Sequence, residues 1–121
     1  MNAREKNLLV RRMAAMANRT RFDALLMLVA TEPDGMLATE IANRLKVPKN
    51  TISAHFKVLK SAGLIVGKRM GRRVQYRARF EPLVGLLTLM IQDCCNGRPD
   101  MRADYLQPLM DLTALTPSRA S

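Results

Sequence analysis

Apolar residues recur along most of this chain at the spacing of amphipathic helices. Leu9, Met13 and Met16 fall at i, i+4, i+7, which predicts a helix with one apolar stripe. After Asn18, a residue suited to an N-cap, Phe22, Leu25, Leu26 and Val29 repeat at i, i+3, i+4, i+7 and predict a second helix with that set facing inward. Glu32-Pro33-Asp34-Gly35 reads as a turn by its Pro, Asp and Gly. Ile41 and Leu45 then mark a short third helix that ends near Lys46-Val47. Pro48 suits the first position of a fourth helix, because its missing N–H would have no intrahelical partner there. Ile52, Phe56 and Leu59 form the inward set of that helix, and Gly63 closes it. Two short helices joined by a tight turn predict a helix-turn-helix.

Beyond Gly63 the period changes. Leu64-Ile65-Val66 and Val74-Gln75-Tyr76 flank a turn at Met70-Gly71, so a two-stranded hairpin is expected, running toward Phe80. Leu83, Leu86, Leu87, Met90 and Ile91 then fill a wide helical stripe, which Asn96-Gly97-Arg98-Pro99 ends. In the last twenty residues Leu106, Leu109 and Met110 suggest helix and Pro108 interrupts it. The expected organisation is a mainly α domain with a small β-hairpin over residues 1–96, followed by a loop and tail over 97–121.

Charge gives this outline a partner. The 121 residues carry a net +10, with 48% hydrophobic and 25% charged residues, a balance that suits a compact domain and argues against disorder. Seventeen of the twenty Lys and Arg, against five of the ten acids, lie in residues 1–80. A basic helix-turn-helix with a basic hairpin points to double-stranded DNA: the major groove admits one helix, and flanking cations neutralise phosphates. Lys49 and Asn50 lie in the first turn of the fourth helix with Thr51 beside them, and Ser53 and Ala54 lie one turn on. Lys57, Lys60, Arg44 and Lys46 can hold the backbone, and Arg69, Arg72 and Arg73 at the hairpin tip can reach phosphates or an adjacent minor groove.

These motifs resemble the ArsR/SmtB family of dimeric winged-helix repressors. The resemblance rests on Met16-Ala17-Asn18-Arg19-Thr20-Arg21-Phe22, on Thr51-Ile52-Ser53-Ala54-His55-Phe56-Lys57-Val58-Leu59, and on Ala62-Gly63-Leu64-Ile65, and it covers most of residues 8–95. It implies a winged helix-turn-helix in which four helices, two strands and a fifth helix follow in that order. It also implies groove-facing positions at Lys49, Asn50, Ser53 and Ala54, an operator with dyad symmetry, and release when an effector binds. Ala54 departs from the polar residue often found there, which suggests apolar contact such as with a thymine methyl. A homodimer has its own argument: the Leu83, Leu86, Leu87, Met90 stripe and the Leu9, Met13, Met16 face are two apolar surfaces that pairing across a two-fold axis would bury.

Cys94 and Cys95 are the candidate effector ligands. Metal sensors of the family use a Cys-containing box in the third helix or His and Asp pairs on the last. Here Leu37 to Leu45 holds no Cys or His, and residues 81–93 hold no His. One chain offers zinc or nickel two sulfurs and His55, short of a tetrahedral set. Asp93-Cys94-Cys95-Asn96-Gly97-Arg98-Pro99-Asp100-Met101 resembles the sensor segment of the arsenic-responsive branch, with Met101 where a third cysteine would be expected. Trivalent arsenic or antimony is therefore the expected effector, with organic arsenicals favoured over arsenite because two thiolates suffice for them. Redox sensing through the same cysteines is the alternative, with an intersubunit bridge favoured over a strained vicinal disulfide, and plain packing at a helix end is a third reading.

No cofactor is expected to be needed for folding. No phosphate loop, dinucleotide fingerprint or nucleophile triad is present, so no catalytic residue is assigned and an enzyme is not expected. His55 reads as a packing or DNA-adjacent residue. A nonspecific DNA-coating protein is the competing class. No segment approaches the roughly 18 apolar residues of a membrane span and no signal core opens the chain, so a cytoplasmic location, with no membrane partner, is expected.

Overall fold

The computed structural model describes residues 1–95 together with Asp100, Asp104, Gln107 and Pro108. The element order is α1 (Ala3–Met16), α2 (Arg19–Ala30), β1 (Met36–Leu37), α3 (Ala38–Leu45), α4 (Lys49–Ser61), β2 (Ile65–Met70), β3 (Arg73–Ala78) and α5 (Phe80–Cys95). The chain divides into one compact unit, Met1–Leu86, and a second that begins at Leu87. The division expected at residues 96 and 97 lies outside the described residues, as does nearly all of the tail.

Local chemistry sets the helix ends. Asn2 opens α1 through a capping box with Glu5, and Asn18 opens α2 by accepting a hydrogen bond from Arg21 N at 3.0 Å. Each satisfies a backbone donor that the first turn leaves without an intrahelical partner. At the start of α3 the Glu40 carboxylate accepts from Leu37 N at 3.0 Å. Lys46 closes α3 in the left-handed region at φ 56°. Gly63, at φ +76°, turns the chain out of α4, as expected. Pro48 caps α4 from just outside instead of occupying its first turn.

The expected hairpin is present, and it carries a third strand. β2 and β3 pair antiparallel from Ile65↔Ala78 to Met70↔Arg73, so Gly71 and Arg72 form a two-residue loop. β1 adds to the other edge of β3 through Met36↔Tyr76 and Leu37↔Gln75, giving the order β1-β3-β2. Two anchors tie β3 to the turn before β1. Arg77 donates to Glu32 at 2.8 and 3.2 Å, and the Gln75 amide donates to Asp34 O. The hydrogen bond to Glu32, and then its charge, hold the Arg77 guanidinium above its ordinary value, so it stays protonated throughout the working pH range. Gly35 lies at φ +79°, and any Cβ there would overlap Tyr76 O. Only glycine allows this close approach of turn and strand.

The core lies between α2, α3, α4 and the sheet, with Leu28, Ile41, Ile52, Phe56, Leu59 and Leu64 at its centre. The inward set of α4 is the expected one. That of α2 is rotated: Ala24, Leu25 and Leu28 are buried, whereas Phe22 and Leu26 are 45% and 50% exposed. A small alanine lets α2 approach its neighbours closely, and Leu28 takes the interior place expected of Leu26. The Phe56 and Tyr76 rings meet edge to face with centroids 4.5 Å apart, which joins α4 to β3. The architecture is a winged helix-turn-helix: α3 and α4 form the motif and β2-β3 the wing.

Candidate nucleic-acid interface

Because Ile52, Phe56 and Leu59 claim the inner face of α4, the 3.6-residue period turns Lys49, Asn50, Thr51, Ser53, Ala54 and Lys57 outward, and all six are exposed. Lys49, Asn50, Ser53, Ala54 and Lys57 line one shallow depression along the helix. Asn50 accepts from Thr51 N at 3.0 Å through Oδ1, which leaves its amide NH2 as a donor toward solvent. The strip therefore offers two ammonium groups, an amide, a hydroxyl and a methyl on one convex edge.

The wing adds a second wall. Lys49 and Ser53 also line a crevice of about 170 Å³ whose far side is Arg72, Arg73, Val74 and Tyr76, with Thr39 of α3 at its edge. Three cations, Lys49, Arg72 and Arg73, and three hydroxyl-bearing residues, Thr39, Ser53 and Tyr76, line it, a donor set that fits a phosphodiester oxygen. Arg69, Arg72 and Arg73 are all exposed, and Arg69 also donates from Nε to Gly71 O at 3.3 Å. The structure thus brings Lys49, Ser53, Arg72 and Arg73 together, continues the surface through Asn50, Ala54 and Lys57, and sets Arg69 at the turn. Thr39 and Tyr76 were absent from the sequence-based set. Thr39 could have been suspected as a hydroxyl in the first turn of the helix before the recognition helix.

Several basic groups hold α4 in place. Arg11 Nη2 donates to Ser61 O at 2.7 Å and to Ser61 Oγ at 2.6 Å, and Arg12 Nε donates to Ala62 O at 3.1 Å. Two cations thereby satisfy carbonyls at the negative end of the α4 dipole. Arg21 donates from Nε to Ala15 O at 2.6 Å and meets His55 Nδ1 through Nη1 at 3.2 Å. A guanidinium only donates, so Nδ1 accepts and the ring proton sits on Nε2. His55 is in this way a packing partner at the α2 to α4 junction. Among the described residues no cluster of three or more His, Cys, Asp or Glu could hold a metal ion, and no described helix is long and apolar enough to cross a membrane.

Cys94 and Cys95 are the last two residues of α5; their side chains, the loop after them and Met101 lie outside the described residues. Of the apolar residues assigned to pairing, Leu9 and Leu86 are buried in the chain's own fold, and Met16 and Leu83 pack on its core. Met13, Leu87 and Met90 are 36%, 58% and 38% exposed. Leu8 and Val10 on α1 and Val84 on α5 are exposed beside them in sequence.

A family model described as a helix-turn-helix domain matches residues 16–67. Over 38 residues, 31% of this chain, the sequence is 47% identical to the HTH-type transcriptional repressor SmtB of Mycobacterium tuberculosis (strain CDC 1551 / Oshkosh). That match spans 28% of the repressor's own length. Among solved structures, an ArsR-like transcriptional regulator from Rhodococcus sp. RHA1 superimposes with a TM-score of 0.63 at 25% identity, covering 87% of this chain and 94% of that one. A homodimeric winged helix-turn-helix DNA-binding domain (fragment 1-100) from Mycobacterium bovis, described as a possible ArsR-family transcriptional regulator, gives a TM-score of 0.61 at 21% identity with the same coverage. The second likeness speaks to the fold alone.

Proposed function

We infer that this chain, a winged-helix transcriptional regulator of the ArsR/SmtB type, is a homodimeric repressor that binds a dyad operator and leaves it when a thiol-reactive effector reaches Cys94 and Cys95. The observation that carries DNA binding is the set of four cations, Arg72, Arg73, Lys49 and Lys57, along two adjoining hollows that share Lys49 and Ser53. It has the parts that groove entry needs: short polar groups on the helix for base edges, and cations on the wing for phosphates. A two-fold pair would present two such helices about one DNA turn apart. Exposed apolar residues on α1 and on α5, Met13, Leu87 and Met90 among them, support pairing.

The effector assignment rests on chemistry. Two adjacent thiols suit a soft trivalent centre, arsenic or antimony, better than zinc. With Met101 in place of a third thiolate, an organic arsenical that already carries a carbon substituent fits better than arsenite. Redox sensing through the same thiols is the second reading, and peroxide-induced intersubunit bridging on a non-reducing gel is its signature.

Fluorescence anisotropy of a labelled duplex from the DNA upstream of the coding region, compared with a random duplex across a salt series, tests the repressor. A specific regulator keeps an affinity gap of roughly a thousandfold or more; equal affinities and slopes on both duplexes would instead establish a nonspecific coating protein. Adding methylarsenite, arsenite, zinc or peroxide to the bound state tests the sensor. Release by arsenicals in wild type and normal release in Cys94→Ser would sink the assignment of these ligands.

A further inference from the structure

A second basic groove lies on the side of α4 away from the wing, and the repressor reading leaves it without a role. It encloses about 480 Å³ between α1 and the C-terminal half of α4, with Arg11, Arg21 and Lys57 at its rim and Ala14, Val58 and Ala62 among the small apolar residues lining it. Among the described residues no acidic side chain lines it. Lys57 belongs both to this groove and to the outward strip of α4, so the positive surface is continuous around the helix. Viewed along α4 at 100° per residue, Lys49 and Ser53 mark the wing side and Val58 the opposite side, with Asn50, Ala54 and Lys57 between them. The helix therefore stands between two basic walls.

We propose that this groove seats the sugar-phosphate backbone of the second strand bordering the major groove that α4 enters, with Arg11, Arg21 and Lys57 as its phosphate contacts. The proposal rests on the DNA-binding reading above. A major groove about 12 Å wide is bounded by a phosphate strand on each side, and the wing serves only one of them. Arg11 spends Nη2 on Ser61, and Arg21 spends Nε on Ala15 and Nη1 on His55, but each guanidinium has five N–H donors, so others remain for a phosphate. The small residues at the floor leave room for a deoxyribose against the protein. The groove is an open trough, and a polyanion that runs past it needs no more than that.

The test is the salt dependence of operator affinity in the full chain, with thermal melts as the control for folding. Arg11→Gln removes the charge, and the melt reads what losing the reach of Nη2 to Ser61 costs the fold. The substitution should lower the slope of log K against log salt by about one for each protomer bound, and leave the ratio of operator to random affinity unchanged. Arg11→Lys should keep the wild-type slope. Ala14→Glu, at an exposed position in the last turn of α1 whose backbone carbonyl, not its side chain, accepts from the Ala17 cap, should weaken operator and random duplex alike by tenfold or more at low salt. Wild-type slopes in a folded Arg11→Gln protein, or wild-type affinity in Ala14→Glu, would overturn the proposal. If wild type fails to bind any duplex, the repressor reading itself has failed, and that outcome is distinct.

Discussion

Phe56 lets the link between α4 and the wing be measured as an energy. Its side chain is 1% exposed, and its ring meets Tyr76 of β3 edge to face at 4.5 Å. Truncation in Phe56→Ala empties a core site and should cost about 3–5 kcal/mol, a large share of the roughly 5–15 kcal/mol that holds a domain folded. Phe56→Leu is the more informative change, since it keeps most of the buried apolar area and removes the ring pair. An aromatic pair contributes about 0.5–1.5 kcal/mol beyond its area, so with imperfect refilling a loss of about 1–2 kcal/mol is expected. Tyr76→Leu removes the same contact from the other side. In a double-mutant cycle followed by urea unfolding with circular dichroism, the two changes should couple by about 0.5–1.5 kcal/mol. Strict additivity, with coupling below about 0.3 kcal/mol, would refute the claim that this contact joins the helix to the wing.

Three further changes probe the local chemistry. Asn18→Ala removes the acceptor for Arg21 N and should cost about 1 kcal/mol in thermal or chemical unfolding, whereas Asn18→Asp should cost little. Lys46→Gly relieves a side chain held at φ 56° and should stabilise by about 0.5–1 kcal/mol after the extra chain entropy of glycine is counted; a destabilised protein would contradict the strain. Gly35→Ala forces a Cβ into Tyr76 O and should cost more than about 2 kcal/mol and accelerate hydrogen exchange at Met36 and Leu37, the residues that pair with β3.

Periodicity revealed the elements whose residues bury one face over several turns, and it failed where a structure arises from contacts far apart in the chain. The inward face of α4 was legible because Ile52, Phe56 and Leu59 are large, and Gly63 ends it by its own conformational freedom, whereas Pro48 falls one place outside the start expected of it. On α2 two large residues, Phe22 and Leu26, satisfied the same template as Leu25 and Leu28, and only packing against α3 and α4 selects the second pair. β1 is two residues long, too short to show a period, and exists because β3 offers it an edge. The interface splits along the same line. Lys49, Asn50, Ser53 and Lys57 follow from helix geometry, and Thr39 had a local signal in its place in the first turn of α3, whereas Tyr76 and the anchoring of Ser61 by Arg11, fifty residues away, depend on tertiary contacts that no local pattern records.

The unequal support of the three strands divides the wing into a fixed base and a variable tip. β1 pairs with β3 only at Gln75 and Tyr76, and it leads directly into α3, so the wing is tied to the first helix of the helix-turn-helix. Outward from there, Arg69↔Val74 and Met70↔Arg73 are held by two strands alone, with nothing within 4 Å of where a Cβ on Gly71 would sit. Each residue pair inserted at the tip would extend its reach by about 3.4 Å without disturbing the core. Such insertions would change how far the tip stands out while leaving its join to α3, through Gln75 and Tyr76, in place.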